Sequence, residues 1–402
     1  MPAALAPRKV RPAFVAQSVL VGSAIAVYLF VLGSAGLHRE DLDAYLAAGR
    51  HVLNGGPLYA TFLQHPFPDA TLRPAFIYPP AFALLIAPLA LLPNAVANLV
   101  WLIVGQLSLA AAMLLVLRWL RPPGWAVATL LVVTLTFYPL WIDIRQGQAN
   151  LVVLLLVTAG IAGIVQGRPR FGAALGVAAA LKLTPLILLV WLLLERRGRE
   201  AAWMVAGFLA VSGMAAIFRF QDTMTFAQQV LPALASGTAF YANQSLAGVL
   251  ERIGSANPYT QPWIDLRWAP LAAGAAGIAL VVVWFWRGSR QPALVRAASF
   301  LPLVPLLSSV TWGHHLVILL PVIWFSVIAL AEAGWPLAPT ATLGGLLLVF
   351  SVVSRWPAGP AFNQPGFRLA QTTDPQVFIV ANALFFATFI LFLAAPWLLR
   401  SR

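Results

Sequence analysis

Apolar runs of about 20 residues, parted by short polar breaks, recur along almost the whole chain, and each is long enough to cross a bilayer as a helix. They fall at Ala13–Gly36, Phe76–Leu92, Ala95–Leu117, Trp125–Ile142, Leu151–Gln166, Phe171–Leu194, Ala202–Phe218, Trp268–Trp286, Leu294–Val310, His315–Ala331, Pro336–Ser354 and Pro375–Leu399. The pattern predicts an all-α polytopic membrane protein with about 10–13 transmembrane helices. We read it as one integral domain over residues 1–402. Twelve simple crossings are expected to put both termini inside, in agreement with Arg8/Lys9/Arg11 and Arg400/Arg402. That threading puts Arg118/Arg121 and Arg168/Arg170 on the face opposite the other basic runs. A second threading avoids this. Phe171–Leu194 breaks near Lys182-Leu183-Thr184-Pro185, and one segment within 76–117, rich in Pro79, Pro80 and Pro88, is re-entrant. Both threadings leave the same connections on the outer face: 37–75, 221–267, Thr311–His314 and 355–374.

Composition narrows the class further. Hydrophobic residues make up 61% of the chain and charged residues 9%, against roughly 25% charged in a soluble domain. Mean hydropathy is +0.85. These values exclude a soluble enzyme, a secreted domain and a disordered chain. The net charge of +13 comes mostly from arginines in short runs between apolar segments, with Lys9 and Lys182 the only lysines. That is the signature of cytoplasmic loops and not of nucleic-acid binding. Cysteine is absent, which removes disulfides and thiolate chemistry. The run after Arg8, Lys9 and Arg11 is too long for a signal-peptide core, so it reads as a retained first span. The 37–75 and 221–267 segments hold much of the scarce acidic charge, including Glu40, Asp41, Asp43, Asp69, Asp222, Glu251 and Asp265. Long loops on one face are where binding and chemistry concentrate.

Within 37–75, Leu42, Leu46, Gly49 and Leu53 share one helical face, and Asp41 and Tyr45 sit four apart on a neighbouring stripe. Asn54-Gly55-Gly56-Pro57 ends that helix. An amphipathic helix on the outer surface is expected, with Asp41 either capping it or acting as a chemical group. Tyr78-Pro79-Pro80 begins the next apolar segment, and Arg145-Gln146-Gly147-Gln148-Ala149-Asn150 forms a polar cluster between spans. Its amides and arginine suit sugar hydroxyls or a phosphate, and equally a capped turn. Lys182 has apolar sequence on both sides. A cation in hydrocarbon needs a cavity or partner, and with acidic residues scarce in the spans an external anion such as a lipid phosphate is attractive. Asn243-Gln244-Ser245 and Glu251-Arg252 stand out in the 221–267 segment. Ser308-Ser309-Val310-Thr311-Trp312-Gly313-His314-His315 ends a span. Adjacent histidines diverge by about 100° on a helix, which favours hydrogen bonding or proton handling over a shared metal.

Taken in order, Asp-Leu-x-x-Tyr with a downstream Gly-x-Leu-Tyr, then Tyr-Pro-Pro, Gly-Gln-x-Asn, Leu-Lys-x-x-Pro, Asn-Gln-Ser-Leu and Trp-x-His-His resemble the polyprenol-phosphate-mannose-dependent mannosyltransferases of the glycosyltransferase C superfamily. That family includes the mycobacterial phosphatidylinositol mannoside enzymes. The resemblance runs from about Asp41 to His315. It implies GT-C architecture and an inverting glycosyltransferase on the extracytoplasmic side of a bacterial plasma membrane. The sugar, expected to be mannose, passes from a polyprenyl-phosphate donor to a lipid or glycan acceptor. Asp41 is the implied general base, and His314 or His315 the histidine near the acceptor. Asp43, Tyr45, Tyr78, Arg145, Gln148, Asn150, Lys182, Asn243, Gln244 and Arg252 are the expected substrate contacts. Lys182, Arg145 or Arg252 would stabilise the departing phosphate. Trp356, Phe362, Phe367, Arg355 and Arg368 are placed at an outer rim for a glycolipid. No metal or other cofactor is expected, and no nucleic acid. A transporter or flippase of lipid or anionic substrates, using Lys182 as part of a path, is the alternative, and a non-catalytic membrane scaffold the third reading.

Overall fold

The computed structural model describes residues 12–36, 39–66, 75–264, 268–352 and 365–400, without the side chains of 12–14 and 365–368. The expectations for Asp69, Asp265, Arg355, Trp356 and Phe362, and for the side chains of Phe367 and Arg368, lie outside the described residues. Among the described residues every regular element is helical. The first is α1 (Pro12–Ser34), followed on one end of the bundle by α2 (Glu40–Asn54), α3 (Ala60–Gln64) and the short α4 (Pro80–Ile86). α5 (Asn94–Leu120) then starts beside α2. Arg50 hydrogen-bonds Asn94, and Arg39 donates to the Asn98 carbonyl at 3.3 Å. α5 leads to α6 (Gly124–Thr136), whose first turn meets the start of α1 through Gln17 and the Trp125 carbonyl, 3.0 Å apart.

The expected crossing Phe76–Leu92 is therefore not one. Pro79 and Pro80 start α4, and Pro88 and Pro93 flank a single 3₁₀ turn, Leu89–Leu91, so no long helix forms. The segment dips in and returns to the end it left, and Arg118/Arg121 come out on the opposite end.

α6 bends by 51° into α7 (Tyr138–Gln146), and the chain returns through α8 (Asn150–Val165) to α9 (Gly172–Leu181). The second expected crossing, Phe171–Leu194, also fails. α9 stops at Lys182, whose backbone is extended (φ −150°, ψ 118°). Pro185 supplies no N–H to continue the ladder. The chain turns through 3₁₀ residues Thr184–Ile187 into α10 (Leu188–Leu194). α11 (Gly198–Phe218) begins beside the start of α9, so α9 and α10 form a re-entrant hairpin. Glycines set this contact: a Cβ on Gly176 would stand 2.0 Å from the Met204 carbonyl oxygen, and one on Gly207 2.6 Å from that of Ala173. Small residues let helix backbones touch without a side chain between them.

The second threading thus holds, and Arg118, Arg121, Arg168, Arg170, Arg196, Arg197, Arg199, Arg287, Arg290 and Arg296 gather at one end. Arg296 there pairs with Glu195.

The remaining elements are α12 (Phe220–Thr225), α13 (Leu231–Ala235), α14 (Leu246–Gly254), α15 (Ala269–Gly288), α16 (Ala293–Phe300), α17 (Leu303–Leu307), α18 (Leu320–Glu332), α19 (Leu337–Ser351), α20 (Pro365–Thr373), α21 (Pro375–Ala381) and α22 (Ala383–Leu398). Among the described residues five helices are long and apolar enough to cross a membrane, or seven if each bent pair is one span. Shorter apolar helices, among them α8 and α19, make other passes of the bundle. The run Gly313–Glu332 is 94% buried whereas α11 and α15 are 17% buried, so the former is the central post and the latter face the surroundings.

Candidate active site

α2 is positioned by its apolar stripe. Leu42, Tyr45, Leu46, Ala48 and Gly49 are buried, and Gly49 sits against Ala87 and Ala90 so closely that a Cβ would be 2.9 Å from Ala90 Cβ. Leu53 falls outside this face and is exposed. The helix closes at Gly55 in the left-handed region (φ 75°), as the Asn-Gly-Gly-Pro run predicts. Its N-cap is Arg39, with no side-chain capping bond. Asp41 therefore does not serve as the cap. Its carboxylate is aimed into the protein, where Oδ2 accepts from Gln148 Nε2 at 2.6 Å. Asp43, two residues on, projects from nearly the opposite side of the helix and takes no part, its Oδ1 buried without a partner.

From Gln148 a continuous hydrogen-bond chain runs inward. Gln148 Oε1 accepts from the hydroxyls of Tyr45 (2.9 Å) and Tyr78 (2.7 Å). Lys182 Nζ donates to the Tyr78 hydroxyl oxygen at 3.2 Å and to Asn150 Oδ1 at 2.6 Å. Asn150 Nδ2 donates to Asp143 Oδ1 at 2.8 Å. Lys182 also lies over the Tyr78 ring, 5.1 Å from its centroid. Each element contributes through a break in regular structure. Gln148 and Asn150 flank the α7–α8 turn, which needs Gly147 at φ 72°, and Lys182 sits where α9 stops. Tyr45 packs edge-on against Tyr78 and Phe82, at 5.0 and 4.9 Å, which walls the chain in aromatic rings.

Asp41 and Lys182, far apart in sequence, thus end up on one polar path. Burial raises the Asp41 carboxyl above its usual value, the Gln148 hydrogen bond and then the Lys182 charge pull it back, and Glu40 adds to the rise. A carboxylate lifted this way is a better proton acceptor than an exposed one.

The histidines lie at the start of the central post. His314 is 4% exposed and neither ring nitrogen has a partner among the described residues. His315 Nδ1 accepts from the Trp312 N–H at 3.3 Å, and the two rings are 4.6 Å apart. His315 also lines a small pocket together with Asn150, Thr184, Ser308 and Thr311. Among the described residues no group of three or more His, Asp or Glu is placed to hold a metal ion.

Other expected contacts are corrected. Arg145 is exposed at the end of α7 and is not in the chain. Arg252 is 1% exposed, but its guanidinium is taken up by the carbonyls of Phe240 and Asn243, each at 2.9 Å, and by Asn382 Oδ1 at 2.6 Å. Asn243 donates to the Thr238 and Ser309 carbonyls (2.9 and 3.0 Å) and accepts from Thr311 N (2.8 Å). Gln244 bonds the Tyr241 and Ala381 carbonyls (2.8 and 2.9 Å) and Phe385 N (3.0 Å). These groups splice the 221–264 segment onto the Ser309–Trp312 loop and α21–α22; their polar atoms are spent on the fold. The scarcity of acids in the spans is also corrected. Asp143, 1% exposed, stands behind Asn150 within reach of the Lys182 charge. It went unread because it follows directly on the apolar run ending at Ile142; its spacing of seven from Asn150 was the available signal.

Comparison with known proteins supplies a class. The profile of glycosyltransferase family 87 (GT87) matches residues 76–309. A polyprenol-phosphate-mannose-dependent alpha-(1-2)-phosphatidylinositol mannoside mannosyltransferase of Mycobacterium tuberculosis is 28% identical over 360 residues, 84% of this chain and 80% of that protein. A polyprenol-phosphate-mannose-dependent alpha-(1-2)-phosphatidylinositol pentamannoside mannosyltransferase of the same species is 29% identical, over 79% of this chain and 72% of its own length. A phosphatidylinositol mannoside enzyme of Mycolicibacterium smegmatis with the same specificity in its name is 30% identical, over 71% of this chain and 69% of its own. No solved structure matches the chain.

Proposed function

The chain belongs to glycosyltransferase family 87, and from that premise we propose that it moves a mannosyl residue from a polyprenyl phosphate to a hydroxyl of a lipid-linked acceptor, with inversion, at the extracytoplasmic face of a bacterial plasma membrane. Four observations support the reading. The relatives are named for that donor and for phosphatidylinositol mannoside acceptors. Ten arginines gather at the bundle end away from Asp41, and the positive-inside tendency then favours the outer face for Asp41. Lys182 and Asp41 share one hydrogen-bond chain. His314 offers two unpartnered nitrogens beside it.

The chain Asp41–Gln148–Tyr78–Lys182 carries the proposal, because it couples a half-buried carboxylate to a buried cation through two hydrogen-bonded side chains. The acceptor oxygen attacks the anomeric carbon. Its proton goes to Asp41, and the bond from that carbon to the phosphate oxygen breaks with its electron pair on the phosphate. Lys182 faces the charge that remains there. A phosphate leaves without protonation, so no acid partner is required, and a single displacement needs no nucleophilic carboxylate. His314 hydrogen-bonds a hydroxyl of the sugar or the acceptor. Membership of a transferase family removes the ground for the transporter and scaffold alternatives.

The test uses the purified full chain in lipid nanodiscs with polyprenyl-phosphate mannose and a bacterial lipid extract. Mass spectrometry reads the appearance of products heavier by one hexose. Asp41→Asn is expected to abolish them while folding normally. A folded Asp41→Asn protein that still transfers sugar ends the general-base assignment. Failure of the parent protein with every polyprenyl-phosphate sugar ends the donor assignment.

A further inference from the structure

Among the described residues Asp143 is the one acid buried among the spans beside the site, and the chemistry above does not use it. It touches the polar chain twice. Its carboxylate accepts from Asn150 Nδ2 at 2.8 Å, and its backbone carbonyl accepts from Gln148 N at 3.0 Å. No direct ion pair joins it to Lys182. Asn150 stands between them. An ionised carboxylate only accepts hydrogen bonds and an ammonium only donates them, so an amide between the two has a single workable orientation: NH₂ toward Asp143, carbonyl oxygen toward Lys182. Gln148 is fixed by the same logic, with its carbonyl toward the two tyrosine hydroxyls and its NH₂ toward Asp41. The arrangement is a central cation with an amide on either side and a carboxylate beyond each amide.

We propose that Asp143 is a positioning residue for the donor phosphate: through Asn150 it holds the Lys182 ammonium at the Tyr78 hydroxyl, and through its backbone carbonyl it seats the turn that carries Gln148. The inference rests on the donor reading above and names a residue that touches neither sugar nor acceptor. If Asp143 is lost, Asn150 Nδ2 loses its acceptor, the amide is held from the Lys182 side alone and can turn, and the ammonium is no longer held in one place.

The experiment measures inhibition of the purified full chain by polyprenyl monophosphate, with acceptor KM as a second readout. Asp143→Ala is expected to weaken inhibition about tenfold, the size of one hydrogen bond to a charged group, with acceptor KM unchanged. Asn150→Ala gives the same loss, and the double variant no more than either one, because the two act as a single unit. Asp143→Asn, nearly isosteric and the variant to use if alanine does not fold, leaves Asn150 able to flip and gives a smaller loss in the same direction. Three results overturn the inference: unchanged inhibition in both Asp143 variants while the parent is inhibited, losses that multiply to about a hundredfold in the double variant, or a rise in acceptor KM equal to the loss of inhibition. A parent chain that polyprenyl monophosphate does not inhibit overturns the donor reading, and this inference with it.

Discussion

Replacing Gln148 with leucine separates the electrostatic account of Asp41 from a packing account. The side chain is close in volume, but Asp41 loses the donor 2.6 Å from Oδ2, and the Tyr45 and Tyr78 hydroxyls lose their common acceptor. Burial already lifts the Asp41 carboxyl, and the Gln148 hydrogen bond is the largest influence opposing that lift, ahead of the Lys182 charge. A hydrogen bond to a charged group contributes about 1.5–3 kcal/mol. Its removal therefore shifts the carboxyl further upward. The sign follows from the role proposed for Asp41: a base works only when deprotonated, so activity is present above its pKa and lost as pH falls through it. In Gln148→Leu that acid-side loss starts at higher pH, and activity partly returns under alkaline conditions. The assay is kcat/KM for the acceptor from about pH 5 to pH 9, read as the midpoint of the acid limb. Tyr45→Phe, which keeps the Gln148 donor, leaves the midpoint in place. An acid limb that coincides in Gln148→Leu and the parent would refute the argument, whatever happens to the rate.

Other outcomes follow from the packing and the outer segments. Gly176→Val drives a side chain into the Met204 carbonyl; it is expected to cost about 1–3 kcal/mol in thermal denaturation and to raise donor KM by displacing the end of α9. Arg219 ties the chain after α2 to α12: it pairs with Asp222 at 2.6 Å and bonds the Gly56 carbonyl, while Asp222 accepts from Leu58 N at 3.0 Å. Arg219→Ala leaves a mostly buried carboxylate alone, and denaturation is expected to show a loss of about 3 kcal/mol, larger than the further loss on removing Asp222 from that background. Burial pushes the Glu251 carboxyl up to about 7, with Arg252 pulling against it. Because the unfolded chain releases that proton at lower pH than the folded one, stability declines as pH rises through this interval. Glu251→Gln is therefore expected to melt above the parent at pH 8 and level with it at pH 4, the ends of that interval.

The sequence carried the membrane class, the face on which the acids lie and most members of the polar chain, because apolar length and rare charges are local signals. Lys182 and Asp41 stood out by being out of place, and the order of short motifs tied them together. The two false crossings were harder. Phe76–Leu92 and Phe171–Leu194 have the hydropathy of spans, and only the prolines at 79, 80, 88 and 185 mark them as broken. The arginines in the following loops raised the second threading without deciding it, because they speak for the threading as a whole and not for either segment. Asn243, Gln244 and Arg252 looked like ligand groups because polar side chains in an apolar protein invite that reading. Their partners are backbone carbonyls and amides, which no side-chain pattern reports. Asp143 was missed for the converse reason: it abuts an apolar run, and its partner is an amide, while the one cation close to it in sequence, Arg145, is exposed and does not pair with it. Asp43 and Asp41 were separated only by the roll of α2 against α4.

The polar chain has amides as its inner links, and that decides where a proton can go. A carboxamide lends its hydrogens to neighbours but does not surrender them under conditions in which the protein stays folded. Gln148 can therefore orient Asp41 without draining it. A proton captured there has no inward exit toward Lys182 and must depart by the side from which the acceptor arrived, so resetting the carboxylate for another turnover waits on the glycolipid moving out of the way.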